Sequence, residues 1–345
     1  MSALDRGVWT LLRGVSRSMY LSLKALPADV RDAMGLGYLL CRAADTIADT
    51  RLVPKDERLK AVERYREAFN LGAAVRVDVP AELVRHQASA SERELLSRLA
   101  ECVELWRRFP EAERALLKEV VFGVTDGMRM DLTLFPSEDA AGLKALPSAR
   151  ELDRYCALIG GAPGLFWTKL CLLRVRELGG ADPAKLAWLG LRLGKGLQMT
   201  NILRDIAKDL RIGRCYLPED ELRQAGLSPE DLLDPACLPR LRPVLRRRLL
   251  WAREELETGA GFIACMPSFR LRAAAAWPLL LAFKTLILVG RSADLLRTDR
   301  GSVKVPRHQV YGLLAGSLWT VPSNARFQRA VCILRDELDA GLRSG

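Results

Sequence analysis

The chain has 345 residues, with 53 Lys and Arg against 42 Asp and Glu and a net charge of +11. At 49% hydrophobic it has the length and balance of a folded protein with a large core, which excludes a disordered or collagen-like chain. The positive excess admits nucleic acid, an anionic membrane surface or an anionic substrate.

Helical periodicity dominates from one end to the other. The spacing predicts helices over 8–24, 29–50, 55–71, 91–107, 111–132, 150–158, 163–178, 183–209, 219–225, 240–260, 268–291 and 324–342. Pro27-Ala28-Asp29, Pro110 and Pro183 are helix-start signals. Alternating Val, Ile and Thr runs that would make strands are few. Segments 72–90, 133–149 and 210–240 interrupt the pattern, but helices resume promptly after each. No solenoid repeat or low-complexity tract is present. The expected architecture is all-α, a single helical domain over residues 1–345.

The first seventeen residues carry no apolar signal-peptide core. The longest uncharged apolar stretch, Ala273–Phe283, has eleven residues, too few to span a bilayer. A cytoplasmic location is expected, with peripheral contact on the inner face of a membrane left open. The eight cysteines contain no C-x-x-C pair and the only histidines are His86 and His308. Zinc sites and a Glu-x-x-His di-iron site are excluded, and the cysteines read as buried free thiols. Any metal must be held by oxygen, which suits Mg²⁺.

Two helical segments carry acids among apolar residues. In the first, Tyr38, Arg42, Asp45 and Asp49 are spaced +4, +3, +4 and share one helix face. In the second, Gln198, Asn201, Asp205 and Asp209 are spaced +3, +4, +4, with Leu197, Ile202, Leu203 and Ile206 beside them. One such stripe alone is commonly a solvated face. Two, each with amide or Arg companions, point to facing carboxylate clusters holding Mg²⁺ against substrate phosphates. Gln198 and Asn201 add amide groups, and Arg42 can grip phosphate oxygens. This set suits ionisation of an allylic diphosphate, where cations stabilise the departing anion and apolar walls keep water from the carbocation.

At these residues the sequence resembles the squalene/phytoene synthase family, from about residue 9 to 315. Ser16-Arg17-Ser18 is similar to the family's N-terminal substrate motif. Arg42-Ala-Ala-Asp45-Thr-Ile-Ala-Asp49 is similar to its first aspartate motif. Tyr155-Cys156 followed by Gly160-Gly161-Ala-Pro-Gly164 resembles its Tyr-Cys and glycine segment. Gln198 through Asp209, then Gly213-Arg214-Cys215-Tyr216-Leu217-Pro218, resembles its second motif and flap. The resemblance implies a helical bundle of the isoprenoid synthase type with a central apolar cavity. It implies metal ligands Asp45, Asp49, Asn201, Asp205 and Asp209. It places Tyr155 at the reaction centre, beside Arg42 and the four aspartates. Substrate contacts fall on Ser16, Arg17, Ser18, Tyr38, Arg42, Gln198, Asn201, Arg204, Arg214, Tyr216, Lys304 and Arg307.

The tail, with Ala276-Trp277-Pro278 and Ser302-Val303-Lys304-Val305-Pro306-Arg307, looks more like squalene synthases than phytoene synthases. The resemblance then implies joining two farnesyl diphosphates to presqualene diphosphate and reducing it with NADPH to squalene. Lys304 and Arg307 would contact phosphate, although a solvated basic loop reads equally well. No G-x-G-x-x-G fingerprint marks a nicotinamide site. The alternatives are a phytoene or dehydrosqualene synthase without the reduction, and a non-enzymatic basic membrane-binding protein.

Residues 240–345 hold 18 Lys and Arg against 8 Asp and Glu, so +10 of the charge sits in this third. Arg240, Arg242, Arg246, Arg247, Arg248 and Arg253 fall in one helical stretch. It is a solvated basic helix or a face for anionic lipid. No feature requires nucleic acid, and no protein partner is expected.

Overall fold

A computed structural model describes residues 4–16, 19–70, 79–87, 89–297 and 302–344. Its helices are α1 (Arg6–Ser16), α2 (Met19–Ala25), α3 (Ala28–Asp49), α4 (Lys55–Glu67), α5 (Ala81–Arg85), α6 (Ala90–Ser97), α7 (Leu99–Arg108) and α8 (Glu111–Leu134). There follow α9 (Ala149–Cys156), α10 (Ala162–Arg174), α11 (Pro183–Arg211), α12 (Glu219–Gln224), α13 (Leu238–Cys265), α14 (Phe269–Arg291), α15 (Arg307–Thr320) and α16 (Asn324–Ser344). Short strands β1 (Lys144–Leu146) and β2 (Arg214–Pro218) complete the regular structure. The chain groups into two compact units. One is Met1–Leu132 with Leu165–Pro183, and the other is Thr133–Gly164 with Ala184–Gly345.

In the first unit α3 packs against α1, α4, α6 and α7. It buries Leu36, Leu39, Leu40, Ala43, Ala44 and Ile47, so polar residues of the same helix are left to one stripe. Each leucine so buried contributes about 1.5–3 kcal/mol. Tyr65, Phe69 and Trp106 meet edge to face at centroid distances of 5.2 and 5.0 Å. The Tyr65 hydroxyl donates to the Leu40 carbonyl at 3.0 Å. Buried Arg58 donates to the Ala48 carbonyl at 2.7 Å and so caps the last turn of α3.

The expected break near 158–163 is absent, because Ala149–Arg174 is one continuous helix. Ser148 caps it by accepting from the Glu151 amide. The chain passes from α9 into α10 through a π turn, Ala157–Gly161, which absorbs one extra residue without ending the helix. The glycines there serve an approach rather than a break. A Cβ on Gly160 would lie 2.2 Å from the Gly194 carbonyl oxygen, and one on Gly194 would lie 2.0 Å from that of Gly160. This helix and α11 therefore touch backbone to backbone.

The strands were not foreseen. They pair in parallel, with Lys144 opposite Arg214 and Ala145 opposite Cys215. Gly213, at φ +75°, turns the chain from α11 into β2. The helix α15 was not foreseen either. The expected helix 91–107 is divided at Arg98, and of the expected helix 8–24 the described parts are α1 and α2.

The apolar stretch Ala273–Phe283 is the middle of α14, whose 23 residues are long and apolar enough to cross a membrane. Ala149–Arg174 meets the same measure. In α14, 72% of the apolar window is buried inside the protein, as in a core helix. Cys102, Cys156, Cys171, Cys215 and Cys237 are buried free thiols, as expected, whereas Cys265 is exposed.

The arginines of 240–253 correct the reading of a continuous basic face. Arg240 donates to the Gly226 carbonyl. Arg242 donates to the carbonyls of Gly290 and Ser292 at 2.7 and 3.0 Å, closing the end of α14. Arg247 and Arg248 pair with Glu221, and Arg253 with Asp339. Most of these charges are spent on holding elements together.

Candidate active site

The first stripe lies on α3 as its spacing requires. Arg42 is a bridge: one nitrogen holds Asp45 at 2.5 Å and another holds Glu92 at the start of α6. Burial pushes the Arg42 guanidinium down, but the charges of Asp45 and Glu92 outweigh it and raise it above its ordinary value. Asp45 is half-buried and Asp49 is exposed one turn further on. The Tyr38 hydroxyl donates to the Val15 carbonyl of α1 at 3.4 Å. Ser16 is buried and its hydroxyl donates to its own helix at Leu12, 2.5 Å away. Arg17 and Ser18 lie outside the described residues.

The second stripe runs along α11, with Asn201 exposed and Gln198, Asp205 and Asp209 half-buried. Arg204 folds back on its neighbour and holds both Asp205 oxygens, at 3.1 and 2.5 Å. Burial pushes the Asp205 carboxyl up, but hydrogen bonds from Arg204 and Ser302, with the charges of Arg204 and Lys208, bring it below its ordinary value. The Ser302 contact ties the Val-Lys segment to this stripe. Lys304 and Arg307 follow it, both exposed.

Beside α11, the turn at Gly213 delivers Arg214 and Tyr216 on β2, both buried. The Tyr216 ring stacks on Tyr155 at 4.8 Å and 27°. The edge of Phe135 closes on Tyr216 at 5.2 Å. Tyr155, Arg214 and Tyr216 are thus gathered in one unit with the second stripe. Sequence reasoning missed Glu92 and Phe135, which are distant in the chain from the groups they touch and carry no motif of their own, and it noted Ser302 in the Val-Lys segment without its contact to Asp205.

Among the described residues no three His, Cys, Asp or Glu side chains gather as a metal cage. The donors are instead pairs of carboxylates at i and i+4, Asp45 with Asp49 and Asp205 with Asp209, the latter with Asn201 on the same stripe. All offer hard oxygen, and the first acid of each pair already holds a cationic guanidinium. That set fits Mg²⁺, which takes one or two carboxylates and completes its shell with water and phosphate.

The squalene/phytoene synthase family profile matches residues 12–309. The chain belongs to this family. Presqualene diphosphate synthase of Zymomonas mobilis is 33% identical over 239 residues, 69% of this chain and 68% of that protein. Presqualene diphosphate synthase of Sinorhizobium fredii is 29% identical over 244 residues, 70% of this chain and 73% of that one. Among solved structures, TcSQS with the ligand E5700 superposes with a TM-score of 0.74 over 98% of both chains, at 21% identity. At that identity the likeness is one of fold, the all-α isoprenoid synthase fold expected from the sequence. With the family come its class of chemistry, head-to-head prenyl transfer, and a prenyl diphosphate substrate.

Proposed function

We propose that this family member joins two farnesyl diphosphates to presqualene diphosphate and releases that product. The observation that carries the reading is the pair of i, i+4 carboxylate stripes, each with a guanidinium beside it, in a chain 33% identical to a presqualene diphosphate synthase. Asp45, Asp49, Asn201, Asp205 and Asp209 would hold Mg²⁺. Bound there, the metal supplies Lewis-acid stabilisation of the leaving diphosphate. Arg42, held by Glu92, and Arg204, beside Asp205, would bind phosphate oxygen. Tyr155 and Tyr216 set a buried pair of hydroxyls where a proton can be held or passed. Ser16, Arg17, Ser18, Tyr38, Gln198 and Arg214 complete the proposed substrate contacts.

A second reading adds reduction to squalene with NADPH. The exposed Lys304 and Arg307, tied to Asp205 through Ser302, favour it as a seat for cofactor phosphate. The first reading needs no such cofactor. Diphosphate release from farnesyl diphosphate tests the common core: it should require Mg²⁺, stop with chelator, and be lost in Asp45→Asn and Asp205→Asn. Release without added metal would refute it.

A further inference from the structure

The helix α15 carries large apolar residues on the side away from the protein. Tyr311, Leu318 and Trp319 are 67%, 63% and 69% exposed. With Leu314 and Ala315 they stand at +3, +4, +7 and +8 from Tyr311, one continuous outward stripe. The helix is nonetheless held firmly from behind. Ser317, its one buried residue, accepts from the Trp277 indole at 2.9 Å. Arg272 donates to the Val321 carbonyl at 2.7 Å and fixes the C-terminal end. Leu313, Gly316 and Thr320 face a cavity of about 480 Å³ against α14 and α16, so the outward stripe is not the one used for packing.

The chain that leads into and out of the helix carries charge of one sign. From Ser302 to Arg335 the chain has five Lys and Arg and no Asp or Glu. Lys304 and Arg307 stand at the start of α15, and Arg326 and Arg329 follow its end. The Arg326 guanidinium lies 4.0 Å over the Trp319 ring. An apolar stripe bearing Tyr and Trp, with exposed cations at both ends of the helix, is the pattern of a helix lying in a lipid interface.

We propose that α15 docks this protein on an anionic bilayer, with Tyr311, Leu318 and Trp319 entering the headgroup boundary and the flanking cations meeting lipid phosphate. A second copy of the chain fits less well, because two basic flanks would face each other. This site is preferred to the 240–253 stretch, most of whose arginines hold other elements of the protein.

Flotation with vesicles of phosphatidylcholine, with and without phosphatidylglycerol, tests it. The protein should float with the anionic vesicles and not with the neutral ones, and added salt should weaken binding. Leu318→Glu with Trp319→Glu should cut partitioning about tenfold or more, and Arg329→Ala about fivefold. Both sites are exposed, so melting temperatures should hold. Should the double variant fail to fold, Trp319→Phe carries the test: brominated lipid should quench the native protein and quench this variant less. Equal binding to neutral vesicles, an unaffected double variant or unaltered quenching would overturn the proposal. So would a lipid-free dimer in sedimentation that the same double variant abolishes.

Discussion

Tyr155 and Tyr216 stack at 4.8 Å, and the Tyr155 hydroxyl donates to that of Tyr216 across 3.3 Å. One comes from α9 and the other from β2, so the pair couples the π-turned helix to the strand that follows the second acidic stripe. Both rings are buried, and Phe135 closes the outer edge.

Removing the ring and removing the hydroxyl should therefore differ. Tyr155→Ala empties a buried ring site and should cost about 3 kcal/mol or more in urea unfolding. Tyr155→Phe keeps the stack and should cost about 1 kcal/mol. If this hydroxyl handles the proton, Tyr155→Phe should still lower turnover about 100-fold. Unchanged turnover would make the pair a packing device only.

Glu92 is a positioning residue for Arg42. The pair is partly solvated, so Glu92→Gln should cost no more than about 1 kcal/mol in thermal melts. Its effect belongs in substrate binding. Steady-state kinetics should show KM for farnesyl diphosphate rising more than kcat falls. A fall in kcat alone would place Glu92 elsewhere in the mechanism.

Glycines in two helices should respond in opposite directions. Gly160→Ala would press a Cβ to 2.2 Å from the Gly194 carbonyl and force the helices apart, a loss of about 3 kcal/mol or failure to fold. Gly312 on α15 has nothing within 4 Å of its missing Cβ. Gly312→Ala should stabilise the protein by up to about 1 kcal/mol through helix propensity. Differential scanning calorimetry on the two variants decides both.

The thiols should divide by burial. Burial pushes Cys102, Cys171 and Cys215 up to about 12, so they stay neutral and unreactive through the physiological range. Exposed Cys265 should be labelled in the native protein. The three buried thiols should react with a disulfide reagent only after denaturation. Labelling of Cys215 in the native protein would show that β2 opens.

Both acidic stripes were legible because helical spacing alone sets which residues share a face. Asp45 follows Arg42 by three residues, and Asp209 follows Asp205 by four, so the sequence already contains the geometry. Glu92 was not legible, since it is fifty residues from Arg42 and lies on another helix. The strands escaped because three and five residues show no alternation, and what makes them strands is pairing across the chain. Gly160-Gly161 resembled a break because glycine weakens an isolated helix; here the contact with α11 outweighs that cost. Helix α15 was hidden for a different reason. It is apolar on most sides, so no periodic contrast marks its start or its face.

Product analysis tests the central claim most directly. The purified protein is incubated with farnesyl diphosphate and Mg²⁺, with and without NADPH, and in parallel with geranylgeranyl diphosphate, and the extracts are identified by mass. The account predicts presqualene diphosphate in both incubations and no squalene in either. Squalene formed only with NADPH would contradict it in favour of the second reading, and phytoene from geranylgeranyl diphosphate with no farnesyl product would contradict both.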